Sequence, residues 1–252
     1  MERSANIFRF KKFEVMNERS AMKVNTDGVL LGAVMTILPE DKRLLDIGTG
    51  TGTIALMAAQ RLSSLHESST APRLWVEAID IDEPSASEAA VNFSNSPWAA
   101  CMKVHNLSLN QYKTALESED EFDLIFSNPP YFEDSLTAPD QRKSTARHTG
   151  EGLSYRDIFD FASARLSENG RVSFVLPADQ EQQLCRYARM TGLHLSRMTR
   201  VRTVPRKSPS RIIAEFARCR CENPEDTTLT IQSNGAYTQE YLSIMKDFYL
   251  FA

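Results

Sequence analysis

The chain has little with which to hold a metal. Its four cysteines, Cys101, Cys185, Cys219 and Cys221, are scattered, and the one close pair, Cys219 and Cys221, has no second pair or histidine cluster to complete a zinc site. The four histidines also lack ligand spacing, so no metal is expected. Cysteines used this way are expected to stay reduced. Long apolar runs are missing as well: none approaches the roughly 20 residues of a membrane helix. The opening "MERSANIFRFKKFEV" has no apolar stretch of a secretion signal, so no membrane partner and a cytoplasmic location are expected. Without internal repeats or a linker rich in Gly or Ser, residues 1–252 are expected to form one domain, as a monomer. Within it we place an N-terminal extension and helix at 1–40, a core at 41–221, and a C-terminal strand and helix at 222–252.

Strong charge of either sign is absent too. A net charge of −4 argues against indiscriminate polyanion binding, but the average conceals a gradient. Between Arg197 and Arg220 lie eight basic residues and a single acid, Glu215, whereas acids gather at 117–123, "ESEDEFD". A basic face on an acidic protein suggests a charged partner met on one side; a solvated strand pair that merely carries arginines is the alternative.

Short apolar runs alternate with amphipathic stretches. Strands are expected at 43–48, 74–82, 101–106, 122–127 and 171–177, and helices at 53–62, 83–96, 155–170 and 178–192. Pro84 suits the first turn of its helix, where a missing N–H costs nothing. An earlier helix is expected over 26–38. Strict alternation implies a parallel sheet covered on both faces. Strand-like segments 193–204 and 210–221 are joined only by "PRKSP", too short for a parallel crossover, so they should pair antiparallel. The expected fold is α/β: a doubly wound, mostly parallel, seven-stranded Rossmann-like sheet ending in an antiparallel hairpin.

Glycine is also scarce, yet three of the ten glycines, Gly48, Gly50 and Gly52, crowd the turn between the first core strand and its helix in "LDIGTGTGTIAL". Glycine admits positive φ and lets a ligand approach the backbone. No Lys-Ser or Lys-Thr follows, so this is no phosphate-cradling P-loop. A turn without such a lysine, beside Asp46, suits a ligand that carries an amine and no phosphates, as S-adenosylmethionine does. At the next strand's end Asp80 is placed to accept from two ribose hydroxyls, with Asp82 its competitor. The run "DIGTGTG" resembles the first motif of class I methyltransferases.

Residues 127–132 read "SNPPYF". The resemblance implies that this strand end faces the sulfonium methyl. Pro129 and Pro130 fix φ and donate no N–H, leaving carbonyl acceptors, and Asn128 adds a side-chain acceptor. The Asn128 side chain and the Pro129 carbonyl can hold the two hydrogens of a planar NH2 group and steer its lone pair, which is catalysis by orientation. Tyr131 would stack on the flat substrate with Phe132 in support. "NPPY" is similar to the fourth motif of amino-methyltransferases acting on adenine, on guanine amines or on glutamine amide.

RNA is favoured by Arg202, Arg206, Lys207 and Arg211 in the terminal hairpin, and by Arg142, Lys143, Arg147 and His148 after the corner. The segments "FRFKKFEVMNERSAMKVNTDGVLLGA", "NPPYF" followed by "ARHT", and "YTQEYLSIMKDFYL" resemble the bacterial tRNA (adenine-N6)-methyltransferases that modify adenine 37 of a valine tRNA, nearly end to end. That resemblance implies tRNA as partner, S-adenosylmethionine as cofactor, and Thr26 and Asp27 near the cofactor; helix capping by either residue is the plain alternative. Asn106 stands where many relatives carry an acid near the cofactor's adenine, and the loop at 63–73 is longer than in compact members. Methylation of a glutamine amide in a translation factor and a non-catalytic RNA-binding role are the competing readings.

Overall fold

The computed structural model describes residues 6–66, 75–130 and 152–252. In chain order the elements that position the site are a hairpin of β1 (Ile7–Arg9) and β2 (Glu14–Met16), then α1 (Thr26–Val34), β3 (Arg43–Ile47) and α2 (Thr53–Leu65). They continue with β4 (Trp75–Ile79), α3 (Glu83–Ser94), β5 (Met102–His105), α4 (Leu109–Ala115), β6 (Phe122–Ser127) and α5 (Tyr155–Arg165). The last part holds β7 (Leu166–Pro177), α6 (Glu181–Met190), β8 (His194–Arg202), β9 (Arg211–Ala217), β10 (Glu225–Thr230), the small hairpin β11 (Gln232–Ser233) with β12 (Ala236–Tyr237), and α7 (Gln239–Met245).

The main sheet runs β10-β8-β9-β7-β6-β3-β4-β5. Every neighbouring pair is parallel except those that involve β9, which runs against both β7 and β8. The α/β class, the mostly parallel sheet and the terminal antiparallel hairpin are as expected, but the sheet has eight strands rather than seven. The eighth strand, β10, lies within the 222–252 segment where a C-terminal strand is expected, and it pairs with the outer side of β8, so the hairpin does not form the edge. Its sequence "EDTTLT" buries only Leu229 and Thr230 and is held by cross-strand polar pairs, which apolar periodicity does not reveal.

Buried Leu44, Leu45, Leu124, Ile125 and Phe126 fill the centre of the sheet between two helix layers. The chain leaves β3 toward β4 and β5 on one side and reaches β6 and β7 on the other, so strand order reverses between β3 and β6. In open α/β sheets the crevice at the carboxyl end of such a reversal is where ligands bind. Here Ser127 Oγ donates to the Ile47 carbonyl at 2.6 Å and ties the two strand ends together at that point.

Three helices differ from the pattern-based expectation. α1 stops at Val34, four residues early, where Arg61 Nη1 donates to the Gly32 and Met35 carbonyls and Arg197 Nη1 to that of Val34. α5 stops at Arg165 instead of Gly170; Leu166–Gly170 enters β7 as an irregularity, because Leu166 pairs with Phe122 while Arg171 pairs with Leu124. A Cβ on Gly170 would lie 2.7 Å from the Phe122 carbonyl oxygen, so this glycine permits a close backbone approach rather than ending a helix. α4 has no counterpart in the apolar pattern, although Ser108 and Gln111 form its capping box.

Candidate active site

The glycine turn adopts the strained geometry that its composition anticipated. Gly48, Gly50 and Gly52 all have positive φ, at 74°, 57° and 80°. The Gly48 and Thr49 N–H groups donate to the Ile79 carbonyl at 2.9 and 3.0 Å, which brings the turn against the end of β4. There Asp80 accepts from Gly50 N at 2.8 Å through Oδ2 and from Asp82 N at 2.9 Å through Oδ1. Asp82 serves instead as the N-cap of α3, where it accepts from Ser85 N. Of the two competing acids, Asp80 therefore faces the turn.

Asp46 ends in the same crevice, fully buried. Its Oδ2 accepts from Thr49 Oγ1 at 2.7 Å, while Oδ1 has no hydrogen-bond partner among the described residues. Burial pushes its carboxyl up to about 7; Asp80 adds to the rise, and Thr49 and the Ala55 N–H offset part of it. Burial also raises Asp80, with neighbouring Asp82 adding to the rise.

Opposite the turn lies the segment that enters α1. Met22, Lys23, Asn25 and Gly28 face Gly48–Thr51 across a narrow cleft that Asn128 closes at the end of β6. Asn128 is buried and its Nδ2 donates to Met22 Sδ at 3.4 Å. Pro129 is buried beside it and Pro130 is exposed. The cap of α1 is Asn25, whose Oδ1 accepts from Gly28 N at 2.9 Å, rather than Thr26 or Asp27. Thr26 is exposed, and Asp27 Oδ2 instead accepts from Arg211 Nε at 2.8 Å. Asn106 donates its NH2 to the carbonyls of Asp80 and Ile81, at 2.9 and 3.1 Å, so its Oδ1 is the atom left to accept from a ligand. Tyr131, Phe132, Arg142, Lys143, Arg147 and His148 lie outside the described residues.

The basic hairpin is less open than its sequence suggests. Arg202 Nε donates to Thr230 Oγ1 at 2.8 Å, and Arg211 is the partner of Asp27. Arg206 and Lys207, in the loop between β8 and β9, are exposed. Ser85, Glu88 and Asn92 on α3, which hold the segment before α1, belong to no motif of the sequence. Their spacing of three and four residues on a helix whose other buried positions are Ala86, Ala89 and Phe93 is the available signal.

Residues fit for an amine-bearing nucleoside are thus gathered in one place: a buried acid with an orphaned oxygen, a glycine cradle without side chains, and a second acid at the neighbouring strand end. Among the described residues no helix is long and apolar enough to cross a membrane. The family model described as "Methyltransferase small domain" matches residues 20–188. In solved structures the fold is similar to that of a predicted O-methyltransferase from Agrobacterium tumefaciens, with TM-score 0.63, 16% identity, and coverage of 88% of this chain and 96% of that one. Curated relatives named tRNA1(Val) (adenine(37)-N6)-methyltransferase are 39% identical over 96% of this chain and 97% of the protein in Parabacteroides distasonis. In Bacteroides fragilis the values are 40%, 98% and 99%. The chain therefore belongs to the methyltransferase small-domain family and, within it, to the tRNA1(Val) (adenine(37)-N6)-methyltransferases.

Proposed function

We infer that the protein methylates the exocyclic N6 amine of an adenine in tRNA, with S-adenosylmethionine as donor, and that the target is adenine 37 of tRNA1(Val), the substrate in the relatives' name. The observation that carries this reading is likeness of 39–40% sustained over 96–98% of the chain, far beyond the motifs that all such enzymes share. The expected setting is the cytoplasm, and the protein acts as a single-domain monomer.

When bound, the cofactor supplies an electrophilic methyl on a sulfonium sulfur. Asp80 is assigned to the ribose hydroxyls, Asn106 Oδ1 to the adenine amine, Asp46 Oδ1 to the cofactor's amine side, and Gly48, Gly50 and Gly52 to the open backbone around it, with Thr26 and Asp27 at the entrance. Asn128 Oδ1 and the Pro129 carbonyl accept the two hydrogens of the target N6 amine; Pro130 stiffens the corner, and Tyr131 and Phe132 stack on the base. The nitrogen sheds its proton after transfer, so no strong base is required. Arg206 and Lys207, with Arg142, Lys143 and Arg147 and more weakly Arg202 and Arg211, contact phosphates.

Incubation with labelled S-adenosylmethionine and total tRNA, followed by mass spectrometry of the nucleosides, tests the reading. N6-methyladenosine in tRNA1(Val) is the expected product. Label on protein, or none on RNA, overturns it.

A further inference from the structure

We propose that Glu88, supported by Asn92 and Ser85 on α3, is a positioning residue that holds segment 16–25 as a roof over the cofactor cleft. This deepens the reading of that cleft as the S-adenosylmethionine site and rests on it. Between β2, which ends at Met16, and α1, which starts at Thr26, Asn17 N–H still donates to the Asn6 carbonyl at 2.9 Å beside the hairpin, and residues 18–25 belong to no strand or helix. Their N–H groups need acceptors from elsewhere.

Glu88 supplies three of them. Only 2% exposed, it accepts from the N–H groups of Glu18 and Arg19 through Oε2, at 2.7 and 2.6 Å, and from Ser20 through Oε1 at 3.1 Å. One helical turn on, Asn92 accepts from Met16 N at 2.7 Å and donates to the carbonyls of Met16 and Thr51, at 3.0 and 2.8 Å. A single side chain thus joins the start of the roof to the glycine turn. One turn earlier, Ser85 Oγ accepts from Ala21 N at 3.4 Å and lies 3.2 Å from Ser20 Oγ, with its proton directed to Asp82 Oδ2 at 2.7 Å. Asn17 Oδ1 accepts from Val24 N at 3.0 Å and closes the segment on itself.

What this anchoring achieves is close registration across the cleft. A Cβ on Gly50 would stand 3.3 Å from Ser20 Oγ and 3.6 Å from the Met22 carbonyl, and Met22 Sδ meets Asn128. None of Ser85, Glu88 and Asn92 lines the cleft, so each acts through the roof. A buried carboxylate is costly unless several donors meet it. Here they are consecutive backbone donors of one segment, which makes Glu88 the point on which the roof is registered. The roof then governs how tightly the cofactor is held, while the transfer step belongs to Asn128 and its neighbours.

Cofactor affinity by calorimetry, kcat for tRNA methylation at saturating cofactor, and amide exchange at residues 18–20 test this in the full chain. Glu88→Gln keeps the shape but gives up one charged acceptor oxygen; S-adenosylmethionine binding should weaken about tenfold, as for a lost charge-assisted hydrogen bond. Glu88→Ala should weaken it several-fold further. In both, exchange at 18–20 should quicken and kcat should stay within about twofold of the parent. If Glu88→Ala fails to fold, Glu88→Gln still decides. Unchanged affinity with lost amide protection overturns the proposal, as does a fall in kcat at unchanged affinity. A parent protein that binds the cofactor but leaves tRNA unmethylated refutes the substrate assignment alone. One that does not bind it refutes the cleft reading.

Discussion

Within a single strand, β4, and its end, two carboxylates three residues apart are treated in opposite ways. Burial would raise Glu77, but His105 Nε2 at 3.4 Å, the Tyr112 hydroxyl at 2.6 Å and the Arg43 guanidinium outweigh it and hold its carboxyl down to about 2. Asp80, just past the strand, meets only backbone N–H groups and the like charge of Asp82, and burial keeps it above the ordinary carboxylate range. Charge pairs of the Glu77 kind recur on β8. On β8, Arg197 sits beside Glu215 and Glu225, and Arg200 beside Glu181 and Asp226. In the crevice between β3 and β6, the charge of Asp80 instead adds to the cost of ionising Asp46. On these strands paired charge belongs to the scaffold, whereas the two acids where strand order reverses keep raised carboxyls, the electrostatics expected of a site that a ligand would complete.

That contrast is broken most severely at Asn128, which belongs to neither charge class. Asn128→Ala should lower kcat by roughly three orders of magnitude, the scale expected when an oriented acceptor is lost from a reacting group. Cofactor affinity, read by calorimetry, should change little. Loss of cofactor binding instead would make Asn128 a cofactor ligand. Next in size is the paired comparison at β4. Asp80→Ala should weaken S-adenosylmethionine by about a hundredfold, as two hydrogen bonds to a charged acceptor disappear, with stability little changed. Glu77→Gln should lose on the order of 1–2 kcal/mol of stability, as the charge-assisted bonds from Arg43 and Tyr112 weaken while Asp120 still pairs with Arg43, with cofactor affinity within about threefold. Equal effects of both changes on affinity would dissolve the distinction between scaffold and site.

Asp46 gives a pH signature. In the free protein its carboxyl titrates at about 7, far above an unfolded aspartate, so the native state holds a proton that the unfolded state has lost. Stability of the free protein should therefore fall as pH rises from about 4 to 7, and Asp46→Asn should reduce that slope, with raised Asp80 adding to what remains. A cofactor amine favours the ionised form, so affinity should rise about tenfold between pH 6 and 8 as the proton leaves. Calorimetry in buffers of different ionisation enthalpy would register the released proton. A flat affinity over that range would show that Asp46 does not face the amine.

Much of this was legible in the sequence wherever the signal was local. The glycine turn, Asp80 at a strand end and the strand Phe122–Ser127 each depend on residues within a few positions, and they emerged as read. Partnerships between distant segments did not emerge. Arg211 reads in sequence as a phosphate contact alone, and only the fold brings it to Asp27 as well, 184 residues away. A C-terminal strand is expected within 222–252, but its place beside β8 appears only when Glu225 and Asp226 meet Arg197 and Arg200 across the strand pair. The anchor at Glu88 is hidden for the same reason, since its three donors lie 68 to 70 residues earlier. The shortened helix α5 is a different case: Asn169-Gly170 looks like a helix stop, and only the approach of Gly170 to the Phe122 carbonyl explains why the chain is already in β7 there.

The smallest effects should separate the arginines that read alike in sequence. Arg206 and Lys207 are exposed in the β8–β9 loop, whereas Arg200 is tied to Glu181 and Asp226. Both kinds belong to one basic stretch, so charge alone does not tell them apart. If phosphates are met only by the uncompensated pair, Arg206→Ala and Lys207→Ala should each weaken tRNA several-fold. Each should also reduce the slope of log affinity against log salt by nearly one. Arg200→Met should leave that slope unchanged and lower the melting temperature by a few degrees, since it strands two acids at the sheet edge. A salt slope that falls equally in all three variants would mean that tRNA displaces the internal partners of β8, and that compensated charge can be recruited on binding.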